Sequence, residues 1–210
     1  MSKPTRHTAH YDDAERRSPD ADALYAVAEP QAGYFSTAQA ADAGYSRSLV
    51  AHHASTGNFS RVRQGVYRLT RFPGSAHEDL YVAWLQAGPR AVISHDSALA
   101  LYGLSDALPS EIHVTLPRTS SRRRQGIRMH TTALTADEVT VRDGLPITTV
   151  TRTIADVIRA GMSSEHVTQA IREALERGLA SEHDLEMAAA VRGGKVARII
   201  SRTLGEWKAR

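Results

Sequence analysis

Between Gly33 and Thr70 the chain reads GYFSTAQAADAGYSRSLVAHHASTGNFSRVRQGVYRLT, and its punctuation leaves few ways to fold. Ser36 stands where a helix N-cap belongs, ahead of an Ala- and Gln-rich run from Thr37 to Ala43. Gly44 follows at the position where a helix end turns left-handed. Ser46 predicts the cap of a second helix, Arg47 to Thr56, which Gly57 stops. Only Gly44-Tyr45-Ser46 separates the two helices, the short glycine-containing turn of a helix-turn-helix. After Gly57 the apolar period changes to two, through Phe59, Val62, Val66, Tyr67 and Leu69, with Gln64-Gly65 at the reversal of a β-hairpin. A hairpin directly behind a helix-turn-helix is a wing.

Charge points the same way. The chain holds 23 acidic residues, yet none falls between Ala43 and His77, where Arg47, Arg61, Arg63, Arg68 and Arg71 all occur. A partner with repeating negative charge accounts for that bias, and DNA phosphate is the commonest such partner. The competing interpretation is a small solvated subdomain whose arginines serve only solubility; turn, ribbon and charge together favour DNA. On the second helix, Leu49, Val50 and His53 share the inward side, while Arg47, Ser48, Ala51, His52 and Ser55 face outward. The expected DNA-binding set is therefore Ser46, Arg47, Ser48, His52 and Ser55 on the reading helix, with Arg61, Arg63, Arg68 and Arg71 on the wing. Arg47 can fork to a guanine, whereas Ser48 and His52 suit phosphate or a base edge. His52 and His53 are adjacent and point about 100° apart on a helix, which makes a shared metal ion awkward.

Three motifs here resemble the AbiEi-type antitoxins of type IV toxin–antitoxin systems. The first is the stretch above, closing on Arg63-Gln64-Gly65-Val66-Tyr67-Arg68-Leu69, which is similar to the family's RxGVYRL ending. The family commonly has a basic residue where Gln64 stands, a departure that implies a slightly weaker grip of this wing on phosphate. Ser94-His95-Asp96-Ser97-Ala98-Leu99-Ala100-Leu101-Tyr102-Gly103-Leu104 resembles the pattern SHxSALxLxGL, and Gly144 to Asp156 (GLPITTVTRTIAD) resembles GLPVTxxxRTLxD. The resemblance implies a DNA-binding autorepressor acting on the operator of its own operon. It also implies an antitoxin whose second domain neutralises a cognate nucleotidyltransferase-like toxin. The chain leaves no room for the restriction-endonuclease-like domain that some relatives carry after these motifs. A stand-alone winged-helix transcriptional regulator, or a nuclease relative that has lost its catalytic domain, is the alternative.

Taken in order, the 210 residues divide into a leader over 1–18, a winged helix-turn-helix over 19–71, a linker over 72–76 and a second domain over 77–210. The leader is polar and its acids cancel its arginines, so disorder is expected there; His7 and His10 are read as solvated rather than as metal ligands. Pro19 to Gln31 predicts a short helix with Leu24, Val27 and Ala28 on one face, packed behind the reading helix. Phe72-Pro73-Gly74-Ser75 reads as linker. Beyond it, helices are expected over His77–Ala87, Asp96–Tyr102 and Thr148–Arg159, then in a helical C-terminal third through Ser163–Arg177, Glu182–Val191 and Lys195–Trp207. Asp96 and Ser97 are read as helix-start residues rather than acid–base chemistry, and Arg152 and Asp156 as an i,i+4 ion pair. Ile112, Val114 and Leu116 predict a strand paired with a second through Ile127 and Met129, as a hairpin. The fold class is thus α+β: a winged helix-turn-helix, then a mixed α/β domain ending in helices.

The loop of that expected hairpin carries Arg118, Arg122, Arg123 and Arg124, with Arg128 just beyond, and no acid occurs from Ile112 to Ala136. It is a candidate second basic contact, to DNA or to an acidic protein partner. Net charge is only +3, so distribution says more than total. Without cysteine, disulfides and thiolate metal sites are excluded. No apolar run approaches the ~20 residues of a membrane helix, and no signal-peptide core opens the chain, so a soluble cytoplasmic protein without a membrane partner is expected. No phosphate loop, serine-hydrolase elbow, HExxH or dinucleotide fingerprint appears, and the three lysines sit in no carboxylate cluster. Neither enzyme activity, metal nor cofactor is expected. No heptad seam marks a dimer interface, which leaves oligomeric state open; a monomer binding cooperatively is compatible with the sequence.

Overall fold

The computed structural model describes residues 18–104, 109–117 and 124–209. Of the expected leader only Ser18 falls among them, and Arg118, Arg122 and Arg123 lie outside the described residues. Helix α1 (Ala21–Ala28) starts at Asp20, whose carboxylate accepts the Ala23 N–H at 2.9 Å. It buries Leu24 and Ala28, but Val27, expected inward, is 36% exposed. Leu24 and Ala28 set the centre of the apolar stripe, and Val27 sits roughly 80° away from it around the helix.

Helix α2 (Thr37–Asp42) opens with a capping box: Ser36 Oγ accepts the Gln39 N–H at 3.2 Å, and Gln39 Oε1 accepts the Ser36 N–H at 2.8 Å. Helix α3 (Arg47–Ser55) is capped by Ser46, as its sequence predicts. Strand β1 (Tyr34–Ser36), which the sequence reading did not anticipate, adds to the hairpin of β2 (Phe59–Arg63) and β3 (Val66–Leu69) in the order β1-β3-β2. Three residues are too few to show a period of two; pairing with β3 makes this segment a strand.

The small sheet is covered on both faces. Phe35, Phe59 and Tyr67 pack with Leu24, Tyr45 and Val50 of the helical side. Tyr34 points the other way and belongs to the core of the second region. Its ring stacks on Tyr81 at 5.2 Å, and its hydroxyl donates to Glu78 at 2.7 Å. Both partners lie on α4 (Glu78–Ala87), which buries Leu80, Tyr81, Val82 and Ala83.

Behind α4 stands a five-stranded sheet, β4 (Val92–Ile93), β5 (Ile112–Thr115), β6 (Ile127–His130), β7 (Val139–Arg142) and β8 (Leu145–Thr148), ordered β6-β5-β4-β8-β7. One expectation needs correction: β5 and β6 run parallel, with Ile112 beside Ile127 and Thr115 beside His130, so they form no hairpin. The chain must return to the start of β5 before β6 begins. It reverses at a turn where Ile127 N–H bonds Arg124 O at 3.2 Å and Gly126 takes φ +76°.

Around the sheet lie α5 (His95–Leu101), α6 (Val150–Ala160), α7 (Ser164–Glu176), α8 (Glu182–Arg192) and α9 (Gly194–Lys208), so the C-terminal third is helical as expected. Ile93, Leu99, Leu145, Ile147, Ile154, Ile158 and Ile171 form the driest part of this core. Arg152 is 3% exposed and forms the predicted pair with Asp156 at 2.8 Å; Glu138 engages it from a second side at 2.6 Å. The β7–β8 turn, Asp143-Gly144, has both residues at positive φ, the signature of a two-residue hairpin loop. A Cβ on Gly144 would come within 1.6 Å of the Pro30 carbonyl oxygen, so this turn butts against the segment that follows α1.

Candidate nucleic-acid interface

Helix α3 presents Arg47, Ser48, Ala51, His52 and Ser55 to solvent, while Val50 is buried and Leu49 and His53 are half-buried. The outward and inward sets are those read from the sequence. His53 is held from behind, its ring 4.8 Å from Phe59 and 5.7 Å from Tyr45, and Asn58 Nδ2 stands 3.2 Å from its Nδ1. Ser46 is occupied as the cap and lies 2.9 Å from Ser48 Oγ, so its hydroxyl acts first on the protein. Ser55 Oγ donates back to the His52 carbonyl at 2.8 Å. Arg47, Ser48 and His52 therefore remain as the outward polar groups on the first two turns.

The wing sorts its arginines by strand face. Arg61 pairs in register with Tyr67 on the outer strand β2 and is exposed, as is Arg63 beside the Gln64-Gly65 turn. Arg68 pairs with Tyr34 and Ser60 on the opposite face. It is half-buried, with its guanidinium carbon 5.8 Å from the centre of the Tyr34 ring. This side chain faces α4, away from Arg61. Arg71, past the end of β3, is exposed. Burial raises the pKa of Tyr34 above the ordinary tyrosine value, and its hydrogen bond to Glu78 adds to the rise, so it stays a neutral donor.

The parallel β5–β6 connection has a spatial consequence. The Arg124-Gln125-Gly126 turn and the wing turn line one groove of about 900 Å³, together with Thr37 and Gln86. Gln86 Nε2 donates to the Gln64 carbonyl across it at 3.4 Å. Arg63 and Arg124, 61 positions apart in the chain (124 − 63), thus border the same depression. Arg128 is exposed on β6, which is an outer strand of the five-stranded sheet.

On the same second region the fold gathers three histidines that the sequence reading treated separately or not at all. His95 begins α5, His113 lies in β5 and His130 ends β6; one nitrogen from each lies within 4.8 Å of the others. The His95 and His130 rings stack with centroids 3.5 Å apart. Desolvation pushes His95 down to about 3, helped by His130, His113, Arg152 and Arg128, and His130 to about 4, helped by His113 and Arg128 against Asp96. Burial also lowers His113, against the pull of the Asp96 carboxylate. These rings are neutral at pH 7. Strand pairing brings two of them together: His113 and Thr115 share a face of β5, and Thr115 pairs with His130.

A winged helix-turn-helix with an acid-free reading face, joined to an α/β region, defines the class of DNA-binding regulators. The comparisons narrow it. Residues 22–70 match the family described as "Transcriptional regulator, AbiEi antitoxin", and residues 90–205 match "AbiEi antitoxin C-terminal domain". The second match alone covers more than half of the 210 residues, and the chain belongs to the AbiEi antitoxin family. No curated protein matches it. The crystal structure of the RV2827C protein from Mycobacterium tuberculosis is similar in fold, with a TM-score of 0.53 at 14% identity over 87% of this chain and 74% of that one. Among the described residues, no helix is long and apolar enough to cross a membrane.

Proposed function

We propose that this protein is a DNA-binding autorepressor that inserts α3 into the major groove of an operator upstream of its own reading frame. The single observation that carries the reading is the exposed face of Arg47, Ser48 and His52 within a stretch that holds no acidic residue from Ala43 to His77. Arg47, at the start of the helix, reads a base edge, and Arg61, Arg63 and Arg71 contact phosphate. Arg68 keeps the wing seated on α4, and Ser46 and Ser55 shape the helix ends. The second domain antagonises a nucleotidyltransferase-like toxin, a role supported by the antitoxin descriptions of both matching families. The protein acts by binding, in the cytoplasm, without catalysis of its own.

Gel-shift titration against the upstream DNA and against random duplex, at two salt concentrations, tests the first half. Specific binding should exceed random binding by at least ~10³-fold. Equal affinity for both duplexes would refute an operator. The neighbouring reading frame tests the second half: a nucleotidyltransferase-like gene is expected there, and co-expression should rescue growth; its absence, or toxicity that this protein leaves unchanged, would favour a stand-alone regulator.

A further inference from the structure

His95, His113 and His130 take no part in the DNA reading, yet they are the densest group of metal-ligating side chains among the described residues. Buried polar nitrogens are normally satisfied, because an unpartnered one forfeits its hydration without return. Here His113 Nδ1 and His130 Nε2 are both buried and neither has a hydrogen-bond partner. Asp96 Oδ2 stands 3.1 Å from His113 Nδ1, an ion-pair distance outside hydrogen-bond geometry. Two orphaned nitrogens in one cluster ask for a common partner.

The surroundings favour a cation that binds neutral imidazole. His95 Nδ1 lies 3.0 Å from Ser94 Oγ, which Thr115 Oγ1 also engages at 2.9 Å. That pair occupies one ring nitrogen of His95 and leaves Nε2 for a ligand, the outer-shell arrangement that orients metal-binding histidines. It also explains why Ser94 makes no side-chain cap on α5 although it holds the N-cap position. His95 itself takes φ +51°, a strained value for a residue with a Cβ, and so is held in place by what surrounds it. The charges felt by the cluster are mixed: Asp96 and Glu111 attract a cation, and Arg128 and Arg152 oppose one. Arg152 is already neutralised by Asp156 and Glu138.

We propose that His95, His113 and His130 bind one Zn²⁺ ion, with Asp96 beside the fourth position. Three imidazoles and no thiolate suit zinc, and ligand nitrogens around a tetrahedral ion stand about 3.4 Å apart, so the His95 and His130 rings, stacked at 3.5 Å, must unstack and turn one nitrogen each to a common point when the ion binds. The ion ties α5 to β5 and β6. It thereby holds β5 and β6 to each other and to α5, with Arg124 just ahead of β6.

The test uses the full chain stripped with chelator and titrated with Zn²⁺ by calorimetry, and with Co²⁺ by visible absorption. One equivalent of Zn²⁺ should bind, thermal unfolding should shift upward, and Co²⁺ should give the ligand-field band of a four-coordinate nitrogen-rich site. His130→Gln, at the half-buried rim, should weaken binding by more than the about 10–100-fold typical of losing an outer-shell partner. Circular dichroism establishes that this variant is folded. The double variant His7→Ala/His10→Ala should keep full stoichiometry. Absence of a Co²⁺ band and of a thermal shift in the wild type overturns the site, as does binding that folded His130→Gln retains unweakened.

Discussion

Arg47 and Arg152 both sit in the first turn of a helix, where the helix dipole disfavours a positive side chain, and the protein uses them in opposite ways. Arg47 is exposed on α3, within the run from Ala43 to His77 that holds no acidic residue. Arg152, on α6, is buried and held by Asp156 and Glu138, with the Ala133 carbonyl and Thr132 hydroxyl also accepting from its guanidinium. Arg192 reaches the same Glu138 from α8. One arginine completes its interactions inside the fold; the other is exposed, and it is the residue we propose reads a base edge. Residue type is shared, and the carboxylates placed opposite decide the role.

The largest expected effect lies at the buried member. Arg152→Ala leaves Asp156 and Glu138 without their cation and should lower unfolding free energy by about 3–5 kcal/mol, measured by urea denaturation. A loss below about 1 kcal/mol would place Arg152 with ordinary surface ion pairs and dissolve the contrast.

Arg47→Ala should leave stability within about 0.5 kcal/mol of wild type. It should weaken operator binding by about 1–3 kcal/mol, with discrimination lost at one base pair. Were random DNA to lose as much affinity as the operator, Arg47 would be a phosphate contact and no reader.

A smaller effect is expected between the two regions. Tyr34→Phe keeps the stacked ring on Tyr81 and removes only the bond to Glu78, so stability should fall by about 1 kcal/mol. Thermal unfolding that is identical to wild type would mean that this bond adds nothing to the contact between wing and α4.

The finest distinction concerns the groove. Arg63→Ala and Arg124→Ser should each reduce the slope of log affinity against log salt by about one unit if both borders of the groove meet phosphate. A reduction for Arg63 alone would confine DNA to the winged region and leave Arg124 to another partner.

Much of this was legible along the chain because it is local. Ser36 and Ser46 cap the helices they precede, and each cap is a contact over three residues. The Arg152–Asp156 pair is one helical turn long and follows from spacing. Even the sorting of α3 into Val50 inside and Arg47, Ser48 and His52 outside is a matter of 3.6-residue periodicity. Strands β1 and β4, with three and two residues, carry no readable period and exist through their neighbours.

By itself, then, the sequence determined the helices, the Ser36 and Ser46 caps, the wing and the location of the two acid-free basic stretches, because backbone propensity and short-range hydrogen bonding act within a few residues. Tertiary structure alone decided three things. It ran β6 parallel to β5 and so brought Arg124 back beside Arg63; it turned Arg68 onto Tyr34 while leaving Arg61 in solvent; and it drew His95, His113 and His130 together. Each depends on strand direction or strand face, and a period of two cannot tell parallel from antiparallel pairing or name the neighbour across the sheet. That choice is made by the burial of whole faces, through contacts between residues far apart in the chain.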